Sequence, residues 1–418
     1  MNILLIHQTF LGENSGGGSR WNEMTRLWEA DGQDVTVIAG MLHHYTGEPF
    51  KPEYKGKYVY VDKHHVDRKI IRTHMSGGYA KSFFGRLLGY FSFVFSSIYA
   101  GIFVARDKYQ VVLTSSPPLF VGISAWILSV IKWKPLVFEV RDLWPESAID
   151  AGVLNNKIAI KLMYMLERFL YRRAKLIIVL TPAFEQKLIE KKGIAPKKVV
   201  MIPNAADFSI SDEVIKDFDR DAFRAKMGWT DKVVITYVGA HGVANHLIQM
   251  VETAELLRDK PEVHFVLLGD GMQKPMLKEE VQKRGLTNVE FIDYVPKRVV
   301  FEYIRASDFG TSVLKKADTF KTVYSNKTFD YMSCKLPILM VIDGVSRQLV
   351  EDAGCGVYVR PEDPADYAQK IREYLAMDRA IWAEQGEAGY VYAKKHFDRM
   401  VLSEKYLECL AGVIAKKA

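Results

Sequence analysis

Short apolar runs alternate with longer stretches of helical periodicity along almost the whole chain. Mainly apolar runs of strand length, such as Leu136–Val140 and Val233–Val238, are typical of strands that are covered on both faces of a parallel sheet. Parallel strands need a crossover connection, and the stretches of helical period supply one each time. The pattern therefore predicts an α/β fold made of doubly wound parallel sheets.

The predicted elements form two similar series. In the first we expect strands at 2–7, 34–38, 57–61, 70–73, 111–113, 136–140, 176–180 and 199–202, and helices at 20–31, 81–106 and 157–175. In the second we expect strands at 233–238, 264–268, 289–291, 310–314, 338–341 and 356–359. The charged stretch 205–232 reads as a connection with an entry helix. We predict domains at 1–204 and 205–396, a helix within 397–418 that packs back on the first domain, and a cleft between two facing carboxyl edges.

Three polar or glycine-rich segments follow strands of the first series. They are the glycine loop Ser15–Ser19, the segment Thr114–Pro118 and the segment Arg141–Ser147. In open α/β sheets ligands bind at the carboxyl ends of the strands, so we expect these three loops to build one binding rim. An arginine, two acids and a tryptophan in the run from Arg141 to Glu146 need a reason beyond packing.

Composition narrows the class of protein. A chain of 418 residues, 49% hydrophobic, can bury more than one core. The three cysteines lie far apart without metal-ligand spacing, which predicts reduced thiols in a cytoplasmic protein, and no signal peptide is recognisable. The net charge of +7 suits an anionic ligand or membrane surface better than nucleic acid. The adjacent pairs His43-His44 and His64-His65 cannot readily share an ion, so we expect no metal.

Two segments predict contact with a membrane. Leu87–Ala105 is uncharged and about as long as the ~20 residues of a bilayer-spanning helix. It joins two strands of one presumed sheet, however, and a span would separate them, so we expect it to be partly buried and partly lipid-facing. The basic amphipathic stretch Lys157–Lys175 can lie on anionic lipid. Together they favour peripheral attachment to the inner face of the cell membrane.

A series of motifs in a fixed order carries a resemblance to a known family. They are the glycines 16–18, then 114–119, 138–147, 180–182, 202–204, 237–239, 268–271, 319–323 and 325–332. On these motifs the chain resembles the WbuB-like branch of retaining glycosyltransferase family 4, which has the GT-B fold of two Rossmann-like domains. The resemblance implies a metal-independent bacterial enzyme without a cofactor. It would move a sugar from a nucleotide diphosphate, expected to be UDP, to a polyprenyl-diphosphate-linked acceptor in surface polysaccharide or O-antigen synthesis.

The donor residues that we predict lie mainly in the second series. A diphosphate needs backbone N–H groups, helix N-termini or cations. We assign Ser325 as the N-cap of a helix over 328–333, with Lys327 and Lys321 beside its start and with the glycines Gly17, Gly18 and Gly239 close to the phosphates. The base is expected near Val295. His241 is a further candidate cation, whereas Lys274 reads as a solvated lysine.

The resemblance places two further donor groups. Asp330 stands where the family has the second glutamate of its paired acids, whose carboxylate binds the ribose hydroxyls. Thr322 stands at the position of the first acid, as in the WbuB-like branch, and it cannot act as a carboxylate. Asp318 is the alternative candidate for the sugar hydroxyls.

The catalytic and acceptor residues are expected in the first series. Arg141 can stabilise the leaving phosphate or bind an acceptor phosphate, and Asp142 can orient the acceptor hydroxyl or brace Arg141. Ser115, Ser116 and Trp144 are predicted on the acceptor side, where Trp144 either packs the loop or stacks on a sugar. Two other functions stay open: a nucleotide-sugar epimerase of similar fold, and a degenerate, non-catalytic subunit of a membrane assembly.

Overall fold

The computed structural model describes residues 1–11, 20–43, 47–62, 69–77, 83–150, 152 and 154–416, with the backbone alone at 83 and 84. The chain divides into two compact units. The first unit comprises Met1–Pro203 together with Met400–Ala418, and the second comprises Asn204–Arg399.

The first unit is built on an eight-stranded sheet. Its strands are β1 (Asn2–Ile6), β2 (Asp34–Gly40), β3 (Val59–Asp62), β4 (Lys69–Thr73), β5 (Val111–Ser116), β6 (Leu136–Val140), β7 (Leu176–Val179) and β8 (Val199–Met201). They lie in the order β3-β4-β2-β1-β5-β6-β7-β8. All neighbours are parallel except β3, an edge strand that runs antiparallel to β4. The short connection between β3 and β4 accounts for this departure from an all-parallel sheet, because a parallel pair needs a long crossover.

Helices cover this sheet. They are α1 (Arg20–Ala30), α2 (Phe83–Phe103), α3 (Val121–Ile131), α4 (Glu146–Asp150), α5 (Lys157–Arg173) and α6 (Pro182–Gln186), with α16 (Arg399–Ala415) added from the end of the chain. Helix α2 packs against α3 and against β2 and β4, and α3 packs against α5. Tyr406 of α16 lies edge-on to Trp21, with ring centroids 5.7 Å apart.

The second unit has a six-stranded sheet that is parallel throughout. Its strands are β9 (Val233–Val238), β10 (Val263–Leu268), β11 (Val289–Ile292), β12 (Phe309–Val313), β13 (Ile338–Val341) and β14 (Gly356–Tyr358). Their order is β11-β10-β9-β12-β13-β14. The remaining helices are α7 (Phe208–Asp217), α8 (Arg220–Met227), α9 (Ile248–Leu256), α10 (Lys274–Lys283), α11 (Lys297–Ala306), α12 (Asn326–Ser333), α13 (Val345–Ala353), α14 (Pro364–Leu375) and α15 (Arg379–His396).

Alternate residues of these strands face opposite cores. Leu339 and Val341 of β13 belong to one buried apolar cluster, whereas Ile338 and Met340 belong to another. This is the two-residue period of a strand with both faces covered, and it explains why the strands read as unbroken apolar runs. The predicted α/β class with doubly wound parallel sheets is confirmed.

Each sheet reverses its strand order at one point. The chain leaves β1 toward β2 on one side and returns to β5 on the other, and it does the same at β9 between β10 and β12. Ligands of doubly wound sheets bind outside the carboxyl ends of the strands at such a switch point. Two expectations about connections were wrong: β5 continues through Ser116, and the stretch after residue 205 contains two helices, α7 and α8.

Candidate functional site

In the second unit, the start of α12 is held at the switch point by Tyr331. Its hydroxyl accepts a hydrogen bond from Val238 N (3.1 Å) and donates one to Thr311 O (3.1 Å), so one side chain ties α12 to β9 and β12. The glycine at position 310 is needed for this packing, because a Cβ there would lie 2.3 Å from the Tyr331 ring. Helix α12 therefore has little freedom to shift.

Ser325 occupies the N-cap position of α12, as predicted. Its hydroxyl does not cap the helix backbone, however; it lies 3.4 Å from Nζ of Lys327 and accepts a hydrogen bond from it. The N-terminal N–H groups of α12 and the Lys327 ammonium are therefore neighbours. Both are groups that attract an anion.

Lys327 is held in a largely buried position. Its Nζ lies 4.7 Å from the centre of the Tyr237 ring. A Cβ at Gly239 would lie 3.4 Å from Cε of Lys327, so the lysine passes close to the turn after β9. Burial lowers the Lys327 pKa to about 8, although the charge of Asp330 acts in the opposite direction. A bound anion would favour the charged amine and reverse this shift.

Asp330 lies one turn after Lys327 on α12 and is partly exposed. The negative charge of Asp330 acts to raise the pKa of Lys327. The structure thus brings together four of the predicted donor residues: Gly239, Ser325, Lys327 and Asp330. Their binding roles stay predictions.

The predicted donor residues before α12 form a separate group. Lys321 and Asp318 lie in one helical turn and pair with each other, Nζ to Oδ1 at 2.9 Å, and both side chains are exposed. The Thr322 hydroxyl donates to Thr319 O at 2.7 Å. An anion or a sugar hydroxyl would have to compete with the pairing of Lys321 and Asp318, which is weak because it is exposed.

Two glycine turns contact each other beside this site, and two side chains there differ from expectation. Lys274 is buried, and its Nζ donates to Gly269 O at 2.7 Å and to Asp293 at 2.6 Å, so the interpretation as a solvated lysine was wrong. His241 is completely buried, and burial lowers its pKa to about 4. It is therefore neutral near pH 7 without a ligand, and its possible role as a phosphate cation stays a prediction that this burial does not favour. Val295 lies half-buried in the segment between β11 and α11.

In the first unit, Arg141 and Asp142 follow β6 directly. The backbone N–H of Arg141 donates to Ser116 O at 3.2 Å. Burial lowers the pKa of the Arg141 guanidinium, and burial raises the pKa of the Asp142 carboxyl. Nε of Arg141 is buried with no hydrogen-bond partner among the described residues. Both side chains therefore have the perturbed ionisation that is frequent at functional sites.

A buried polar network next to Arg141 was missed. Glu139 is fully buried within β6; its Oε2 pairs with Nε of Arg20 at 3.1 Å and accepts from Tyr406 Oη at 3.3 Å. We assigned no role to Glu139, although it lies within the strand predicted at 136–140. An acid inside an otherwise apolar strand was the signal that could have predicted a buried partner.

This network also involves the predicted acceptor residues. Ser115 donates to Oε1 of Glu139 at 3.0 Å, and Ser116 lies 3.4 Å from the Glu139 carbonyl. Both serines are buried in β5 rather than in a loop. Trp144 packs edge-on against Phe120, with centroids 6.2 Å apart. The acceptor roles of these three residues stay predictions.

Several candidate positions lie outside the described residues. These are Gly17 and Gly18 of the glycine loop and the histidines His44, His64 and His65. Within the ranges that are described, no three His, Cys, Asp or Glu side chains are grouped so that they could hold a metal ion.

Comparisons with known proteins agree with this architecture. Residues 15–205 match the Glycosyl transferase 4-like domain, and residues 232–377 match the Glycosyl transferases group 1 domain. Escherichia coli (strain K12) WcaI, whose name assigns it to colanic acid biosynthesis as a glycosyl transferase, is 24% identical over 99% of this chain and 100% of its own length. This match does not distinguish the WbuB-like branch, which stays a prediction.

Solved structures show the same fold. Anabaena HepE in complex with UDP superposes with a TM-score of 0.72 at 16% identity, covering 99% of this chain and 100% of HepE. Sucrose-phosphate synthase from Thermosynechococcus elongatus superposes with a TM-score of 0.72 at 18% identity, covering 99% of each chain. The predicted GT-B fold is confirmed.

Proposed function

We propose that this chain, a GT-B glycosyltransferase made of a Glycosyl transferase 4-like domain and a group 1 domain, transfers a sugar from a UDP-sugar to a lipid-linked saccharide. The transfer would retain the anomeric configuration without a metal ion or cofactor, in the synthesis of a bacterial surface polysaccharide such as an O-antigen or a capsule. The two glycosyltransferase domains favour this function over an epimerase or a non-catalytic assembly subunit.

The observation that carries the donor assignment is the surroundings of Lys327. A buried amine, the first N–H groups of α12 and the turn at Gly239 meet in one place. Such a group of donors suits a diphosphate, and Asp330 on the next turn suits ribose hydroxyls. HepE, which shares the fold, has been solved with UDP and with UDP-glucose, and this supports UDP as the nucleotide.

The reaction needs no side-chain nucleophile. The bond between the anomeric carbon and the diphosphate oxygen breaks, and the diphosphate leaves with the electron pair. The acceptor oxygen then bonds to the same face of the sugar, and its proton passes to the leaving phosphate. Arg141 would stabilise phosphate charge and Asp142 would orient the acceptor hydroxyl, so that catalysis consists of positioning and charge stabilisation.

An exposed apolar surface of the first unit supports a lipid-linked acceptor. Helix α2 is long and apolar enough to cross a membrane, yet it packs on the sheet, and its neighbours along the chain, β4 and β5, share that sheet. Its outer face exposes an apolar stripe consisting of Leu88, Phe91, Phe95, Tyr99 and Phe103. Such a surface indicates a lipid or protein partner.

Two neighbouring elements extend this stripe. Trp133, after α3, is 81% exposed, and α5 exposes Ile158, Leu162 and Met165. Exposed cations lie on α5 itself, at positions 157, 161, 168 and 172. Apolar side chains with adjacent cations suit an anionic bilayer surface. We therefore propose peripheral attachment to the cytoplasmic face of the cell membrane, where a polyprenyl-diphosphate-linked acceptor would be reached.

Titration with a panel of nucleotide diphosphates, followed by transfer assays on a polyprenyl-diphosphate-linked primer, tests the proposal. We expect UDP to bind most tightly, and free UDP to appear only when acceptor is present. Binding without acceptor-dependent release of UDP would contradict transfer. If no nucleotide diphosphate binds, the non-catalytic alternative becomes the better explanation.

A further inference from the structure

Buried polar atoms without hydrogen-bond partners cluster at the end of β1. They are Nδ1 of His7, both amide atoms of Gln8, Nε1 of Trp21 and Nε of Arg141, none of which has a partner among the described residues. His7 and Gln8 are 2% and 1% exposed. Native proteins rarely leave buried polar groups unsatisfied, so a cluster of them indicates that something else supplies the partners.

His7 and Arg141 approach each other across the switch point. His7 follows β1 and Arg141 follows β6, with β5 between these strands. The Arg141 charge is near enough to lower the pKa of His7, adding to the larger effect of burial. The His7 ring is also fixed, since it packs edge-on against Trp21 and Phe10 with centroids 6.4 Å and 6.5 Å away. The neutral imidazole and the guanidinium thus lie at the same carboxyl edge of the sheet, on either side of β5.

The charges around this pair leave room for an anion. Glu139 pairs with Arg20 and accepts hydrogen bonds from Ser115 and Tyr406, and its charge also acts to raise the pKa of Arg141. A second buried cation, Arg72, also lowers the pKa of His7; it donates to the Phe10 and Gly40 carbonyls, and its Nε has no partner among the described residues. Asp142 is adjacent to Arg141, but burial raises its pKa and disfavours its charged form. A ligand that brings negative charge and several acceptor oxygens fits these groups.

We infer that His7 and Arg141 form an oxyanion-binding site in the first unit that takes a phosphate group. His7 would donate from Nδ1–H of its neutral ring, and Arg141 would supply the charge. Binding itself is independent of the proposed function, which the inference uses only to name two sources of the phosphate: the diphosphate of the nucleotide and the diphosphate of the lipid acceptor.

Calorimetry on the full chain with three probes tests the site: inorganic pyrophosphate, UDP, and farnesyl diphosphate added at saturating UDP. We compare His7→Leu, which removes the donor, with His7→Asn, which keeps an N–H near the position of Nδ1. His264→Leu is the control for the loss of a histidine, because His264 lies in the second unit, where its Nε2 contacts Glu290 at 2.9 Å.

We expect His7→Leu to weaken at least one probe by about 10-fold or more, as for a lost hydrogen bond to a charged group, and His7→Asn to restore most of the affinity. An effect on UDP identifies the nucleotide as the source, and an effect on farnesyl diphosphate identifies the lipid. Unchanged affinities, or a loss that His7→Asn does not restore, would overturn the site. If wild type binds pyrophosphate through His7 but binds no UDP, the site stands and the proposed function fails.

A second measurement covers a His7→Leu chain that does not fold. Crystals of the wild-type protein soaked in tungstate should show the ion at about 3 Å from Nδ1 of His7 and from the Arg141 guanidinium. Tungstate elsewhere, with this position occupied by water or by protein atoms, would contradict the inference.

Discussion

Lys327 shows how burial can prepare a residue for a ligand. A lysine amine in this position loses hydration, and this loss lowers its pKa to about 8. Its partners are the Ser325 hydroxyl and the face of Tyr237, which are weaker than a carboxylate or a phosphate. A phosphate group of the ligand would replace the stabilisation of the charged amine that is lost with its hydration.

Replacing Lys327 with Met should therefore weaken UDP binding by about 10- to 100-fold, the usual effect of losing a hydrogen bond to a charged group. Lys335→Met is the matched control, since Lys335 also lies 4.7 Å from a tyrosine ring, that of Tyr390, but pairs with Glu387. Calorimetry with UDP measures both. Equal effects in the two variants would remove Lys327 from the donor site.

His241 should make stability depend on pH in a defined window. Its folded pKa of about 4 lies below the ordinary value of 6.5, so between these values the unfolded chain binds more protons. The stabilisation from keeping His241 neutral is fully present above pH 6.5 and is lost as pH falls toward 4, by up to roughly 3 kcal/mol. His7 changes in the same direction, because its pKa is lowered as well.

The contribution of His241 can be isolated with His241→Phe, which keeps an aromatic ring beside Tyr237 and Phe291. Urea unfolding of both proteins at pH 7 and pH 5 gives the two stability differences. The wild-type protein should lose more stability on acidification than the variant. Parallel losses would show that His241 does not titrate as its burial implies.

At the scale of elements, the strands were predictable and their polar interiors were not. An unbroken apolar run such as Val233–Val238 has few alternatives to a buried parallel strand, and its bounds were read correctly. Strand β5 ends in Thr114, Ser115 and Ser116, which read as a loop because they are polar. They stay in the strand because partners distant in sequence satisfy their hydroxyls, such as Glu139 for Ser115.

The site was predictable to a similar extent. The motifs of the second series lie at neighbouring strand ends, so the sequence could group four candidate residues: Gly239, Ser325, Lys327 and Asp330. Their binding roles stay predictions. The network around Glu139 was missed because two of its members, Arg20 and Tyr406, lie more than a hundred residues from Glu139 in the chain, a separation that no local pattern reveals. Lys274 was also predicted wrongly, as a solvated lysine, because the sequence does not show that its amine donates to the Gly269 carbonyl and to Asp293.

Lys192 joins two elements of the first unit that matter for function. Its Nζ contacts Glu146, at the start of α4, at 2.8 Å, and it also contacts Glu167 of α5. Glu167 is buried, and burial raises its pKa against the opposing effect of Lys192. The lysine therefore connects the segment after Arg141 to the helix with the exposed apolar and basic face.

Lys192→Met should destabilise the first unit by about 3–5 kcal/mol, because it leaves a buried carboxylate without its counter-charge. Adding Glu167→Gln to this variant should recover a large part of the loss, since the uncompensated charge is then gone. Thermal and urea unfolding of the single and double variants measure the coupling. A double variant as unstable as the sum of the two single changes would show that the pair is not coupled.

At the scale of the whole molecule, several large apolar side chains of α2 and α5, together with Trp133, are exposed, and such side chains mark a candidate site for a lipid or protein partner. The inner face of α2 is buried against the rest of the first unit through Phe93, Val94 and Ala100. Phe95 and Trp133 are mostly exposed, so replacing these two side chains should not unfold the protein. Membrane attachment can therefore be tested independently of the stability of the fold.

Phe95 and Trp133 are 66% and 81% exposed, and we expect Phe95→Ser combined with Trp133→Ser to reduce sedimentation with anionic vesicles by about 10-fold or more, since each buries a large apolar area in lipid. Binding of the wild-type protein should also weaken as salt rises, because the cations of α5 are exposed. Met272→Ser, equally exposed but in the second unit, is the control and should bind as wild type does. If the double variant binds vesicles as the wild type does, at an unchanged melting temperature, the exposed apolar side chains would be assigned to a protein partner instead of lipid.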